Sequence, residues 1–428
     1  MYYGYAVSEE TARLARQAEE DCREVFAAID ENTLTCSAKV LSAFQAARVS
    51  TAHFVDVTGY GYTDDGRDKL EELYARIFKA EDALVRAQIM SGTHALYITL
   101  DALLHPGDTL VYISGEPYDT LRSVIGTSGD SRQSLIRRGV RYEEIDLIGD
   151  DFDLDAIRTR LSRGDVRVVG IQRSRGYAQR ASLTIDKLAE AIAAVKEVSP
   201  DTIVMVDNCY GEFTEDREPC EVGADVFVGS MMKNLGAGFA VSGAYCVGRR
   251  AVIAEIAERF TAPCIGKDLG ANFNQLPLFY KGLFMAPSAV GATLKSMAFA
   301  ARLLELAGYR VSPAYNDKRT DIVQTIDLFT ADNLIRFCRG LQRGSPIEAY
   351  ATPEPSEMPG YPHMEVSAAG TFVTGATNEL SCDGPLTPPF TAYMQGGLTY
   401  EYGKLGVMRA LDEMTGRVVE AEEEDAFV

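Results

Sequence analysis

The residues VDNCYGEF (206–213) and SMMKN (230–234) decide the fold of this 428-residue chain. Asp207 ends an apolar run, and the carboxyl end of such a strand is where α/β sheets place their ligands. Lys233 lies between two further apolar segments, where burial without a partner would lower the pKa of its ammonium, as suits a lysine that forms an imine. Taken singly, Asp207 is better interpreted as a helix cap and Lys233 as a loop residue. Taken together, they predict a catalytic pair.

The flanking sequence alternates short apolar runs with helical segments. The clearest predicted strands are 111–113, 166–171, 203–206 and 226–228, and their continuous apolar character is typical of strands covered on both faces of a parallel sheet. Helical stretches such as 185–198 separate them, so the sequence predicts a large doubly wound α/β domain over residues 51–287. We expect a helical arm over residues 1–50 and a smaller α+β domain over residues 288–428, whose first helix lies past Pro287 and runs to about Gly308.

Composition narrows the class of protein. A hydrophobic content of 46% allows a large core, and a net charge of −20 with no cluster of Lys and Arg argues against nucleic-acid binding. The eight cysteines form no Cys-x-x-Cys pair and there are only four histidines, so neither a metal site nor a disulfide framework is expected. Since no signal sequence or membrane-spanning run is found either, the sequence predicts a cytoplasmic protein whose partners are small molecules and other chains.

Two further motifs suit a phosphorylated, planar cofactor. Residues 91–96, SGTHAL, open a predicted helix whose exposed N–H groups and hydroxyls would bind a phosphate, although Ser-Gly-Thr alone is an ordinary helix cap. Residues 115–120, GEPYDT, place Tyr118 after another strand, where its ring could stack on a planar group or pack in the core. In combination with Asp207 and Lys233, the two motifs favour a cofactor site.

These residues resemble the fold type I pyridoxal-phosphate enzymes of cysteine and methionine metabolism. The Asp-Asn pair, the Ser-x-x-Lys-Asn segment and the Ser-Gly-Thr loop resemble the cystathionine and methionine lyases. The chain is most similar to the branch known as the methionine gamma-lyase family or aluminium-resistance proteins. The matching segments span nearly the whole chain: 59–62, 66–67, 83–86, 117–121, 172–174, 207–213 and 395–400.

The resemblance implies a role for each matching position. Lys233 would form the Schiff base with pyridoxal 5′-phosphate, Asp207 would keep the pyridinium nitrogen protonated, and Tyr118 would stack on the ring. The implied cofactor-binding residues are Ser91, Gly92, Thr93, Ser230 and Asn208. In this family a Tyr and an Arg of the neighbouring subunit also reach the phosphate, and Tyr60, Tyr62 and Arg67 occupy the comparable stretch. The resemblance therefore implies a homodimer or homotetramer with shared site residues.

The chain departs from the better-known lyases on the substrate side. Met232 stands where they have a phosphate-binding threonine, their Asn-Pro segment is missing, and their C-terminal carboxylate-binding arginine has no counterpart in residues 395–398. Three arginines remain as candidates for the substrate carboxylate, because a guanidinium offers a bidentate fork: Arg173, Arg175 and Arg180. A surface salt bridge accounts equally well for any one of them.

The predicted function is a pyridoxal-phosphate-dependent carbon–sulfur lyase. Its substrate would be a sulfur-containing amino acid of the cystathionine, cysteine or methionine type, cleaved by β- or γ-elimination to a 2-oxo acid, ammonia and a thiol. Another reaction at Cα or Cβ on the same scaffold, such as transamination, aldol cleavage or β-replacement, is the alternative. A binding or regulatory protein that has lost activity is the non-enzymatic alternative, against which the intact Asp207 and Lys233 argue.

Overall fold

The computed structural model describes residues 5–61, 64–357 and 363–417, which form helices and strands in an α/β arrangement. The helices are α1 (Glu9–Asp21), α2 (Arg23–Ala46), α3 (Asp65–Ile77), α4 (Gly92–Leu103), α5 (Asp119–Ile125), α6 (Leu154–Leu161), α7 (Ile185–Val198), α8 (Arg250–Phe260), α9 (Leu276–Leu306), α10 (Ala331–Arg343) and α11 (Tyr400–Thr415). The strands are β1 (Asp82–Arg86), β2 (Thr109–Tyr112), β3 (Arg141–Glu144), β4 (Val166–Gln172), β5 (Ile203–Asp207), β6 (Val226–Ser230), β7 (Ala244–Gly248), β8 (Arg310–Ser312), β9 (Gln324–Asp327), β10 (Ser356–Glu357), β11 (Met364–Ala368), β12 (Ser381–Pro385) and β13 (Thr391–Gln395).

The larger sheet has seven strands in the order β1-β7-β6-β5-β4-β2-β3. Every pair from β6 to β3 is parallel, whereas β7 runs antiparallel to both of its neighbours. The central strands are buried along their whole length, as their continuous apolar runs predict for a sheet covered on both faces. The predicted doubly wound, mostly parallel α/β domain is confirmed.

This strand direction gathers the candidate motifs at one edge of the sheet. Because β7 is the strand that runs the other way, β1, β2, β4, β5 and β6 all end at the same edge. Ligand sites of open α/β sheets lie at such an edge. The segments that follow these strands there contain Ser91, Tyr118, Arg173, Asp207 and Lys233.

The smaller sheet has six strands in the order β10-β11-β12-β13-β9-β8, all antiparallel. Helices α10 and α11 supply much of its apolar core, with Phe337, Leu341, Val407 and Leu411 fully buried. The predicted α+β character of the C-terminal region is therefore confirmed.

The chain forms two compact units, one of residues 32–288 and one that combines residues 1–31 with 289–428. In the second unit the fully buried Asp412 of α11 accepts hydrogen bonds from the hydroxyls of Ser8 and Thr11, both at 2.6 Å. Leu14, Ala15 and Ala18 of α1 pack in the same apolar core as α10 and α11. The first 31 residues of the predicted helical arm thus belong to this unit, and the remainder belongs to the other.

The start of helix α9 differs from the predicted start. The sequence predicts a helix that begins past Pro287, but α9 begins at Leu276 and continues through Pro287. The missing donor of a proline normally weakens a helix interior, yet Phe279, Leu283 and Val290 are fully buried on either side, and that apolar packing stabilises the helix. By length and composition α9 could cross a membrane, but 72% of its most apolar window is buried within the protein, as expected of a core helix.

Candidate active site

Lys233 follows β6 and places its ammonium above an aromatic ring. Its Nζ lies 3.9 Å from the centroid of the Tyr210 ring, a cation–π contact. Burial alone would lower the pKa of Lys233, but attraction to Cys209, Tyr210, Asp207 and Glu212 outweighs burial, and the pKa is raised above its ordinary value. The lowered pKa was expected for a lysine buried without partners, and the structure gives Lys233 such partners.

Asp207 is the last residue of β5, and its carboxylate is almost completely buried. Its Oδ1 accepts a hydrogen bond of 3.1 Å from the backbone N–H of Cys209. Burial raises the pKa of Asp207, while the ammonium of Lys233 and the N–H of Cys209 oppose that rise. The site thus holds a carboxylate and an ammonium of opposite charge at the ends of neighbouring strands.

The Ser91-Gly92-Thr93 turn begins α4, as predicted. Ser91 is the N-cap, and its hydroxyl accepts a hydrogen bond of 3.1 Å from the N–H of His94. A Cβ on Gly92 would lie 3.3 Å from Cys209 Sγ and 3.5 Å from Ser230 Cβ, so only glycine leaves the space between these groups open. The structure therefore brings the predicted phosphate-binding residues together around a helix N-terminus, beside Asp207 and Lys233.

Tyr118 is held at the same sheet edge by β4. Its N–H donates to the side-chain Oε1 of Gln172 at 2.6 Å, and its ring lies 5.7 Å from that of Tyr177, tilted by 41°. The two rings line a cavity of about 440 Å³, which Gln172, Arg175 and Arg180 also line. This position leaves the aromatic ring of Tyr118 beside open space rather than enclosed in the core.

Arg173 is completely buried and, unlike Arg175 and Arg180, is not among the residues that line the cavity beside Tyr118. Its NH1 donates to Asn208 Oδ1 at 2.9 Å and to the Gly211 carbonyl at 3.0 Å, and its NH2 donates to Glu215 Oε2 at 2.7 Å. The guanidinium is thus engaged by the fold, which does not support a role in binding a substrate carboxylate.

Asn208 is buried in the same network. Besides accepting from Arg173, it donates from Nδ2 to Glu218 Oε2 at 2.9 Å, and its N–H donates to the carbonyl of Val228. These contacts give the Asn208 side chain a structural role, so its predicted contact with a cofactor gains no support.

Arg175 and Arg180, by contrast, both line the cavity beside Tyr118. Arg180 donates from NH2 to the carbonyls of Gln172 and Ser174 at 2.8 and 2.7 Å, and Arg175 donates from Nε to the carbonyl of Ala178 at 3.4 Å. Both guanidinium groups thus lie at the wall of this cavity.

The residues expected from a neighbouring subunit lie apart from this cluster. Tyr60 is 82% exposed and pairs with Leu269 in an isolated bridge. Arg67, in α3, is buried and donates to Asp68 at 3.3 Å. Tyr62 lies outside the described residues. In the part of the chain that the structure describes, the hydrogen bonds and ion pairs of Tyr60 and Arg67 do not reach Asp207 or Lys233.

Two residues next to Lys233 were not predicted. Tyr210 and Glu212 both belong to the segment 206–213, but no periodicity in that segment predicts that either side chain points at Lys233. Glu212 is completely buried, and its Oε1 accepts a hydrogen bond from the hydroxyl of Tyr245. Burial raises the pKa of Glu212 to about 8, and the Tyr245 hydroxyl partly opposes that rise. Among the described residues, Glu212 Oε2 has no hydrogen-bond partner, as fits a protonated carboxyl group.

The arrangement suits covalent amine chemistry on an anionic, planar ligand. The ammonium of Lys233, the buried carboxylate of Asp207, the ring of Tyr118 and the N-terminus of α4 lie at one sheet edge, where an amine and a helix N-terminus could serve such a ligand. Within the described ranges, no group of three or more His, Cys, Asp or Glu side chains could hold a metal ion.

Comparison with known proteins gives the family. The family model described as methionine gamma-lyase matches residues 11–415. The uncharacterized protein YnbB of Bacillus subtilis (strain 168) is 44% identical over 404 residues, which cover 94% of this chain and 96% of YnbB. A crystal structure described as a carbon–sulfur lyase involved in aluminium resistance, from Clostridium novyi NT, is 41% identical, with a TM-score of 0.91 over 95% of this chain and 96% of the other.

A more distant structure extends the comparison of folds. The pyridoxal-5′-phosphate-dependent protein YhfS of Escherichia coli is 19% identical, with a TM-score of 0.62 over 91% of this chain and 97% of YhfS. At 19% sequence identity, this structural similarity shows a shared fold. The predicted fold type I architecture is confirmed.

Proposed function

The chain belongs to the methionine gamma-lyase family, and on that premise we propose that it is a pyridoxal 5′-phosphate-dependent carbon–sulfur lyase. Its substrate would be a sulfur-containing amino acid, cleaved by β- or γ-elimination to a 2-oxo acid, ammonia and a thiol. The observation that carries this proposal is the placement of Lys233 and of the buried Asp207 at one edge of the sheet, where Lys233 follows β6 and Asp207 ends the neighbouring strand β5. The name of the Clostridium novyi relative, a carbon–sulfur lyase, supports it.

The residues at the sheet edge fit the cofactor. Asp207 would pair with its ring nitrogen, Tyr118 would stack on its ring, and the N–H groups of α4 with the hydroxyls of Ser91, Thr93 and Ser230 would take its phosphate. Gly92 supports this fit, because any Cβ there would occupy space between Cys209 and Ser230. When bound, pyridoxal phosphate withdraws electrons from the substrate Cα, which makes the proton on that carbon acidic.

Each group of the chain then has a task. Lys233 would hold the cofactor and, when its amine is free, would take the proton from the substrate Cα and pass it to the sulfur of the departing thiol. Asp207 would keep the ring nitrogen protonated, because the negative charge of its carboxylate favours the positively charged form of that nitrogen. Arg175 and Arg180 would bind the substrate carboxylate from the cavity beside Tyr118.

A second copy of the chain is the expected partner. Exposed apolar side chains lie on three neighbouring segments of the chain. A hydrogen bond from Gly270 to the Gly59 carbonyl connects two of these segments, and a hydrogen bond from Gln88 to the Ala271 carbonyl connects the third. These side chains are Val55, Val57, Tyr60, Met90 and Phe273. Met90 precedes Ser91 directly, so a second chain covering this surface would lie next to the phosphate-binding turn. A homodimer or homotetramer, measured by sedimentation of the purified protein, is the expected result; a monomer would contradict it.

We also place the protein in the cytoplasm. All eight cysteines are free thiols, and six of them are buried, as suits a chain that folds in a reducing compartment.

Incubation with a panel of amino acids tests the lyase proposal. Purified protein with added pyridoxal phosphate should release a thiol and a 2-oxo acid from at least one of cystathionine, cysteine and methionine. Lys233→Ala should abolish that release, together with the visible absorbance that borohydride removes from the parent protein. No thiol from any sulfur substrate would contradict the lyase, and a borohydride-sensitive band retained by Lys233→Ala would contradict the site.

A further inference from the structure

The ammonium of Lys233 has an aromatic face as its neighbour. Its Nζ lies 3.9 Å from the Tyr210 ring centroid, well within the distance at which a ring attracts a cation. Lys233 is partly buried and Tyr210 is also partly covered, so water screens this attraction less than it would on an open surface.

The backbone holds Tyr210 in this place at a conformational cost. Tyr210 has a φ of +74°, in the left-handed region that residues with a side chain rarely adopt. Residues in this conformation persist where surrounding contacts fix them.

Those contacts come from Arg173. Its NH1 bridges the Asn208 side chain and the Gly211 carbonyl, on either side of Tyr210, at 2.9 and 3.0 Å. Gly211 N–H donates to the Asn208 carbonyl at 2.9 Å and closes the turn. A Cβ on Gly211 would lie 2.7 Å from Arg173 Cδ, so the turn is shaped around the buried guanidinium.

We propose that Tyr210 is a positioning residue whose ring face holds the free ammonium of Lys233, and that the buried Arg173 fixes the turn that presents this ring. The inference rests on the proposed function, in which Lys233 alternates between a bound and a free amine. The Tyr210 ring gives the free amine of Lys233 a defined position and favours its protonated form. The other groups that act on the Lys233 charge are Cys209, Asp207 and Glu212, so the ring is one of several contributions.

The test measures the amine of Lys233 directly. The full-length protein, stripped of cofactor with hydroxylamine, is labelled with trace acetic anhydride over a range of pH, and the Lys233 peptide is quantified by mass spectrometry. Tyr210→Leu removes the ring, and Tyr210→Phe keeps it without the hydroxyl. Tyr210→pentafluorophenylalanine keeps the shape of the Phe variant but not its negative ring face, so this pair isolates the attraction even if the Leu variant does not fold.

The expected result is a pKa of Lys233 that is lower by about one pKa unit in the Leu and pentafluorophenylalanine variants, which is about a ten-fold faster labelling at a given pH. The Phe variant should behave as the parent does. Phe26→Leu, which removes a ring 5.8 Å from the ammonium of Lys295, is the matched control and should leave Lys233 unchanged.

Equal labelling in the Phe and pentafluorophenylalanine variants would overturn the proposal, as would a folded Leu variant with unchanged labelling. Because labelling needs neither turnover nor bound cofactor, failure of the lyase proposal would not alter this result.

Discussion

Glu212→Gln should remove a pH-dependent loss of stability. Glu212 is completely buried, its Oε1 accepts from the hydroxyl of Tyr245, and its Oε2 has no hydrogen-bond partner among the described residues. Burial raises the pKa of this carboxyl group to about 8. A glutamine has nearly the same shape and resembles the neutral acid, so it can replace Glu212 without a charge.

The size of the effect follows from the pKa. Moving the pKa from 4.5 to about 8 corresponds to about 5 kcal/mol, at about 1.4 kcal/mol per pKa unit. Because the folded-state pKa of Glu212 is raised, its contribution to stability is complete below about pH 4.5 and is lost as the pH rises through about 8. Between about pH 6 and about pH 9, the parent protein should therefore lose about 3 kcal/mol that Glu212→Gln keeps.

Urea unfolding of both proteins at several pH values measures this difference. The free energy of unfolding of Glu212→Gln, minus that of the parent, should rise by about 3 kcal/mol over this pH range. Glu190→Gln, a change of an exposed glutamate on α7, is the control and should follow the parent. The reasoning is refuted if Glu212→Gln and the parent show the same dependence on pH.

Three further substitutions separate structural from functional groups. Arg173→Gln removes the guanidinium that forms an ion pair with the buried carboxylate of Glu215, so the free energy of unfolding in urea should fall by about 3–5 kcal/mol; a loss below about 1 kcal/mol would show that the ion pair is dispensable. Arg180→Gln should change that free energy by less than about 1 kcal/mol but raise the KM of the sulfur substrate, and an unchanged KM would remove Arg180 from the carboxylate site. Asp207→Asn should lower kcat by about 100-fold or more while the cofactor absorbance persists; near-parental kcat would exclude the proposed role of Asp207.

Much of the fold could be predicted from the sequence because buried parallel strands are continuous runs of apolar residues. The runs 166–171, 203–206 and 226–228 correspond to β4, β5 and β6, and the predicted helix 185–198 is α7. The start of α9 was missed since a proline is usually read as a helix boundary, whereas here apolar packing on both sides of Pro287 overrides that tendency.

The site was predicted unevenly for a physical reason. Asp207 and Lys233 follow strands, so their place at the sheet edge could be inferred from local pattern. The distinction between Arg173 and Arg175 could not, because Arg173 is buried by Glu215 and Asn208, which approach it only when β4 and β5 pair. Tyr210 escaped prediction because its direction depends on a positive φ, which no periodicity reveals.

The contacts of α1 with Asp412 have a consequence for the order of folding during synthesis. Thr11 and Asp412 are 401 residues apart, so at about 5–20 residues per second α1 leaves the ribosome about 20 to 80 s before its hydrogen-bond partner exists. Residues 32–288 can meanwhile complete their own core. Throughout that interval Leu14, Ala15 and Ala18 remain uncovered, and the newly made chain exposes an apolar helix that a chaperone could recognise before the last helix arrives.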